Sequence, residues 1–213
     1  MGLAHGGDIV SDSLVLCLDA GNMRSYPKSG TVWTDLSGNG NNGTLINGPT
    51  FSSSNGGSLA FDSVNDYVNV GNMGITVQTY TVLGWIYKTT TFVNNGAAII
   101  SGGYGGDIDN IIVYSEEYAP TNSIYISANG ATKVYYNGKS VAYPTNFNLN
   151  EWLHFAIILT VPSIDGGDHN IGRNNNGSNR FGGLIASILV YSRELSANEI
   201  KQNYLATKGR FGL

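Results

Sequence analysis

The side chains that could do chemistry are few, and their spacing limits what they can do. The glutamates are Glu116, Glu117, Glu151, Glu194 and Glu199. A retaining glycoside hydrolase needs two carboxylates about 5 Å apart, which a Glu-x-Asp-x-x-Glu strand would place on one face. No stretch has that pattern. Asp107 and Asp109 share a side if their segment is extended, but a third acid is missing. No Gly-x-Ser-x-Gly nucleophile elbow occurs. His5, His154 and His169 are scattered over an arm, a strand and a loop, and with one cysteine there is no cluster for zinc. His154 reads as a core or rim histidine with a hydrogen-bond partner. Cys17 cannot form an internal disulfide and reads as a buried, inert thiol. The expectation is a protein that is not an enzyme.

Calcium is the one cofactor the residues leave open. Asp35-Leu-Ser-Gly-Asn-Gly40 starts like an EF-hand loop, yet the twelfth position is Ile46, where a bidentate Glu is needed. Asp62 and Asp66 could join loop carbonyls around a cation. The competing and favoured reading is that Asp35, Asp62 and Asp66 accept hydrogen bonds from backbone amides in turns. For ligand or interface contacts the candidates are the loop aromatics Tyr104, Tyr118 and Tyr143, with Asp107 and Asp109 in one Gly- and Asp-rich loop and Asp165 and Asp168 in another. An exposed Tyr either stacks on a sugar or marks a protein interface. Trp33, Trp85 and Trp152 read as core anchors. Binding is therefore expected in the loops 102–109 and 163–179.

The elements that must position these residues are short strands. Only 12% of the 213 residues are charged, against 29 Gly and 13 Tyr. That balance excludes disorder, which needs low hydrophobicity and high net charge. A formal charge of −4 with Lys and Arg scattered singly excludes a nucleic-acid footprint. Residues 1–12 read as a Gly-rich arm, with one domain over 13–213. The first residues carry neither a basic n-region with an apolar core nor a myristoylation signal, and no apolar run suits a membrane span.

Leu14–Asp19 reads as a buried strand. The run Trp33-Thr-Asp-Leu-Ser-Gly-Asn-Gly-Asn-Asn-Gly-Thr-Leu45 reads as an ordered multi-turn loop, because Gly and Asn tolerate positive φ. Asn47-Gly48-Pro49 marks a turn, and Ser58–Phe61 and Tyr67–Val70 read as strands. Thr79–Lys88, Glu151–Val161 and Arg180–Ser192 are the long strands, the first apolar on both faces and so central. Shorter ones are expected at 97–101, 110–114, 123–127 and 133–136. Hairpins are expected at Ala128-Asn-Gly130 and, as a type I′ turn, at Asn137-Gly138. Ser196-Ala-Asn-Glu199 is a capping box, opening a helix through Ile200, Tyr204 and Leu205 with Gly209 as its stop.

Several ordered motifs carry a family resemblance: Leu14-Val-Leu-Cys-Leu-Asp-Ala-Gly-Asn22, the Trp33 loop, Leu59-Ala-Phe-Asp-Ser-Val-Asn-Asp-Tyr-Val68, Phe181 through Ile200, and the ending Gly209-Arg-Phe-Gly-Leu213. The chain after the arm resembles the laminin-G-like, or concanavalin A-like, jelly-roll domains, in a variant found in structural proteins of tailed bacteriophages, especially those infecting cyanobacteria. The resemblance implies an all-β sandwich of two antiparallel sheets with one short C-terminal helix. It also implies a non-catalytic virion surface protein, a head decoration, fibre or tail component, whose partners are capsid or tail proteins. Such a protein is expected to be a homo-oligomer in the virion, with no membrane or nucleic-acid partner. The alternative it implies is a lectin-like module that adheres to cell-surface glycan. In that family a Tyr-x-Asn-Gly hairpin follows the Trp-bearing strand. Here Tyr135-Tyr-Asn-Gly138 precedes Trp152, so strand order in that region is expected to depart.

Overall fold

The computed structural model describes residues 8–89, 96–102, 111–114, 123–126, 131–142, 146–160, 167–175 and 177–213. In chain order the strands are β1 (Leu14–Asp19), β2 (Val32–Trp33), β3 (Gly43–Ile46), β4 (Thr50–Ser52), β5 (Ser58–Asp62), β6 (Tyr67–Gly71), β7 (Thr79–Lys88) and β8 (Gly96–Ser101). They continue with β9 (Ile111–Tyr114), β10 (Ser123–Ile126), β11 (Ala131–Tyr136), β12 (Lys139–Val141), β13 (Trp152–Thr160), β14 (His169–Ile171) and β15 (Gly182–Tyr191). One helix, α1 (Ala197–Thr207), and a 3-10 turn at Lys208–Phe211 close the chain.

The strands form two antiparallel sheets. Sheet A runs β12-β11-β13-β7-β15-β5-β4, with β1 added beside β15, and sheet B runs β10-β9-β8-β14-β6-β3-β2. β5 pairs with the first half of β15 and β1 with the second half, so one long strand seats two short ones. The main core fills the space between the sheets, from Leu16, Leu18, Trp33, Val68, Ile86, Phe155, Ile157, Ile171 and Ile188, among others.

The central place of β7, between β13 and β15, follows from apolar bulk on both of its faces. Its inner residues Tyr80, Val82 and Ile86 join the main core. Its outer residues Leu83 and Trp85 meet a second layer that is not a sheet. Leu83 packs with Val10, Cys17, Leu189, Tyr191, Leu195 and Ile200, and Trp85 with Ala186 and Phe211. Trp85 stacks on the Phe211 ring at 4.0 Å, and its indole N–H donates to Thr207 Oγ1 at 2.8 Å. The C-terminal helix and turn therefore cover sheet A. Residues 8–12 lie along the same layer. Val10 N–H donates to Asn203 Oδ1 and the Tyr191 hydroxyl donates to Val10 O, each at 2.8 Å.

A glycine in β7 has a clear steric reason. A Cβ on Gly84 would run into the backbone carbonyl oxygen of Ser187 on β15, where the pairing register shifts. Overpacking a sheet interior against backbone leaves nothing flexible to yield. Gly84→Ala is expected to cost about 3 kcal/mol, read as a lowered midpoint in urea unfolding.

Two local expectations are corrected. β10 lies in sheet B and β11 in sheet A, so the chain between them crosses sheets instead of closing a hairpin; Ala128-Asn-Gly130 itself lies outside the described residues. The helix does not stop at Gly209. Lys208 keeps right-handed angles, the backbone tightens into the 3-10 turn, and the left-handed residue is Gly212, φ 73°. The capping box is as expected, with Ser196 Oγ accepting from Glu199 N–H and the Glu199 carboxylate accepting from Ser196 N–H. Asn137 and Gly138 both have positive φ, 50° and 73°, as a type I′ turn between β11 and β12 requires.

Candidate functional site

The three calcium candidates turn out to organise loops. Asp35 is buried, and its Oδ1 accepts from Cys17 N–H at 2.8 Å and Ser37 N–H at 2.9 Å. Its Oδ2 accepts from Ser37 Oγ–H at 2.7 Å and Asn41 N–H at 3.1 Å. Asn39 and Asn41 donate their side-chain amides to the carbonyl of Val15, which laces the loop to β1. Gly38 and Gly40, at φ 93° and 79°, let it turn back. Asp62 Oδ1 accepts from Val64 N–H at 2.7 Å and Asn65 N–H at 3.2 Å, and Asp66 Oδ2 accepts from Asp62 N–H at 3.1 Å. Both oxygens of Asp35 are thus taken by turn donors, and one oxygen each of Asp62 and Asp66. Among the described residues no three His, Cys, Asp or Glu gather where they could hold a metal ion.

Three further titratable groups, Cys17, Lys88 and His154, are buried. Cys17 is buried, and its thiol is pushed up to about 12 by desolvation first and by the charges of Asp19 and Asp35 after that. His154 departs from expectation. It is 1% exposed, yet among the described residues neither ring nitrogen has a hydrogen-bond partner. Its neighbours are the rings of Trp85 at 5.2 Å and Tyr204 at 5.6 Å, and burial drives its pKa down to about 3. Lys88, which the sequence reading passed over, is fully buried with its ammonium donating to Thr89 O at 2.9 Å; desolvation lowers it to about 8.

Of the expected ligand residues, only Asp168 is among those described; Tyr104, Asp107, Asp109, Tyr118, Tyr143 and Asp165 lie outside them. Asp168 is exposed, and its main-chain oxygen accepts from the Asn175 side-chain amide at 3.1 Å.

The segment after Asp168 leads to a surface that the sequence reading missed. Directly paired residues share a sheet face. Thr44 pairs with Asn69, Asn69 with Asn170, and Asn170 with Ser101. These four side chains form one polar row across the adjacent strands β3, β6, β14 and β8, on the face opposite Leu45, Val68, Val70 and Ile171. Asn69 Nδ2 donates to Asn170 Oδ1 at 3.2 Å, Asn170 Nδ2 donates to Asn175 Oδ1 at 2.7 Å, and Ser101 Oγ donates to that oxygen at 2.9 Å. At the buried end the row is thus held by its own bonds. Towards β3 it is open: Thr44 is exposed, Asn69 is half-buried, and no hydrogen bond engages Asn69 Oδ1 or the Thr44 hydroxyl among the described residues.

Tyr67 lies on this same face, two residues before Asn69 and so about 7 Å along the strand. The Arg173 guanidinium lies over its ring, 3.4 Å from the centroid. The turn carrying Arg173 is pinned by Phe181 N–H donating to Gly172 O at 2.8 Å, and by Ser101 Oγ, whose one proton is shared between Asn175 Oδ1 and Arg173 O, each at 2.9 Å. The face therefore offers a guanidinium–aromatic pair beside a line of amide and hydroxyl groups.

Two clefts lie elsewhere. One of about 390 Å³ is walled by Val15, Asn39, Asn41, Met73, Ile75 and Ser192. The other, about 220 Å³, lies at Asn137, Phe147, Asn148, Glu151 and Trp152. In the larger, the Asn39 and Asn41 amides already donate to β1 carbonyls. In the smaller, Asn148 Nδ2 donates to Glu151 Oε2 at 3.0 Å and Asn137 Oδ1 accepts from His154 N–H.

No family model matches the chain, and no curated protein matches it. Solved structures do. Trypanosoma rangeli sialidase in complex with the inhibitor DANA is similar at TM-score 0.60 and 15% identity, over 96% of this chain and 34% of that one. The shared part is the all-β sandwich. Domain 4 of AbnA, a GH43 extracellular arabinanase from Geobacillus stearothermophilus, in complex with arabinotriose, is similar at TM-score 0.56 and 17% identity, over 90% and 98%. The botulinum neurotoxin type G receptor binding domain follows at TM-score 0.55 and 15% identity, over 91% and 51%. The chain spans about a third of the length of the sialidase. At such identities the likeness is one of fold.

Proposed function

We propose that this sandwich is a non-catalytic, lectin-like module that binds saccharide on the outer face of sheet B. The observation that carries the reading is the polar row with its unengaged end at Thr44 and Asn69, beside the ring of Tyr67. Sugars present hydroxyl pairs that both donate and accept, together with an apolar C–H face. An amide–hydroxyl row next to a flat aromatic meets both demands. The fold likeness supports the same direction, since one similar structure is a whole domain holding arabinotriose. The described glutamates favour binding without hydrolysis: Glu151 accepts from Asn148, and Glu194 and Glu199 form ion pairs with Lys133 and Arg193.

A glycan array run with and without calcium tests this. Hits are expected in both conditions, since Asp35, Asp62 and Asp66 serve turns, and Asn69→Ala is expected to weaken them at least tenfold while leaving the melting temperature within a few degrees. The sequence resemblance to phage structural domains suggests a different role, in which a virion component acts only through protein contacts. That role predicts no hit in either condition and a stable oligomer by light scattering.

A further inference from the structure

We infer that Arg173 and Tyr67 form a subsite for the carboxylate of an acidic sugar, a deepening that rests on the glycan-binding reading above. The four ion pairs among the described residues, Lys133–Glu194, Arg193–Asp12, Arg193–Glu199 and Arg210–Asp19, leave Arg173 out. Its guanidinium makes no hydrogen bond among them either. Nε is buried without a partner, while the terminal nitrogens are equally free of partners and are not buried. What holds the group is the ring of Tyr67 beneath it.

A guanidinium held over an aromatic ring leaves its terminal N–H groups free, and two of them can match a carboxylate with two parallel hydrogen bonds. The ring and the pinned turn also fix the side chain in advance, which removes most of the ordering cost of binding. Arg is ordinarily costly to hold in one place without a charged partner, so an unpaired guanidinium on a face that, among the described residues, is open towards β3 points to a partner from outside. The protein as a whole carries a formal charge of −4, so a general attraction for anions does not explain it. Spacing fits as well. The pair stands about 7 Å along β6 from Asn69, close to the span between a pyranose carboxylate and hydroxyls on the far side of the ring or on the next sugar.

The test compares each acidic sugar with its own methyl ester, which removes the charge and keeps the shape. Sialyllactose and a galacturonic acid trimer are titrated calorimetrically against the full chain, each as acid and as ester, so that the two carboxylate sources are separated. A neutral oligosaccharide drawn from the array is run beside them. At least one acid is expected to bind tenfold or more tighter than its ester. That ratio is expected to fall to near one in Arg173→Gln and to be only partly kept in Arg173→Lys, which retains the charge and loses the fork. Equal affinity for acid and ester, or a ratio unchanged in Arg173→Gln, overturns the carboxylate subsite while neutral binding leaves the module reading in place. Binding of none of the sugars overturns both. Arg173→Gln is expected to melt like the wild type; if it does not fold, the acid-to-ester ratio in Arg173→Lys decides alone.

Discussion

Replacing Asp35 with Ala is expected to remove about 3 kcal/mol of stability, which for a chain of this size lowers the melting temperature by roughly 10 °C. The carboxylate accepts four hydrogen bonds, from Cys17 N–H, Ser37 N–H, Ser37 Oγ–H and Asn41 N–H. Cys17 is buried in β1, so its freed N–H finds no water. An unsatisfied buried donor costs more than the bond it once made. Asp35→Asn is expected to fall short of rescue, because its amide nitrogen would face one set of donors. Differential scanning calorimetry checks both. A loss below about 0.5 kcal/mol for Asp35→Ala would mean that the loop is held by Trp33 packing alone.

His154 is expected to make the protein sensitive to mild acid. Its pKa is depressed to about 3 by burial, against an ordinary value near 6.5. Between those values the unfolded chain binds a proton that the folded one refuses. Stability therefore rises with pH in this window and is lost as the pH falls below about 6.5, by about 1.4 kcal/mol per unit. Near pH 4.5 the loss attributable to this side chain is about 3 kcal/mol. Because the ring lies under Tyr204 and beside Trp85, protonation loosens the helix-covered side of sheet A first. Urea unfolding of wild type and His154→Leu at pH 7 and pH 4.5 measures this. The wild type should lose about 3 kcal/mol more than the variant; parallel losses would show that His154 gains a partner or water when charged. A separate loss enters lower, since the Glu199 carboxylate, held to about 2 chiefly by Arg193, charges the ion pair down to that pH.

The parts of the fold legible from sequence were those with local causes. β1 and β7 match the expected runs residue for residue, because a buried apolar run between polar residues leaves little choice of boundary. The Asn137-Gly138 turn and the Ser196 capping box were legible for the same reason, each being a backbone requirement met within four residues. Ala128-Asn-Gly130 misled because a turn dipeptide says nothing about which sheet its flanking strands join, and β10 and β11 join different ones. Gly209 misled because Lys208 could extend the backbone into a tighter turn before any left-handed residue was needed. His154 was placed correctly in a core strand, yet the wanted hydrogen-bond partner came out as two aromatic rings. At the candidate site, Tyr67–Val70 was legible as a strand, but the polar face it shares with β3, β14 and β8 was not. What could not be read was that Arg173 folds back onto Tyr67, since nothing local to either residue encodes a contact made by pairing β6 with β14.

Chemical-shift mapping of a bound oligosaccharide on isotope-labelled protein tests the placement of the site most directly. The largest changes are expected at Thr44, Tyr67, Asn69 and Arg173, with little movement at Asn39, Asn41 and Ile75. Changes concentrated instead at the cleft beside the Trp33 loop, or at Trp152, would contradict a saccharide site on the open face of sheet B.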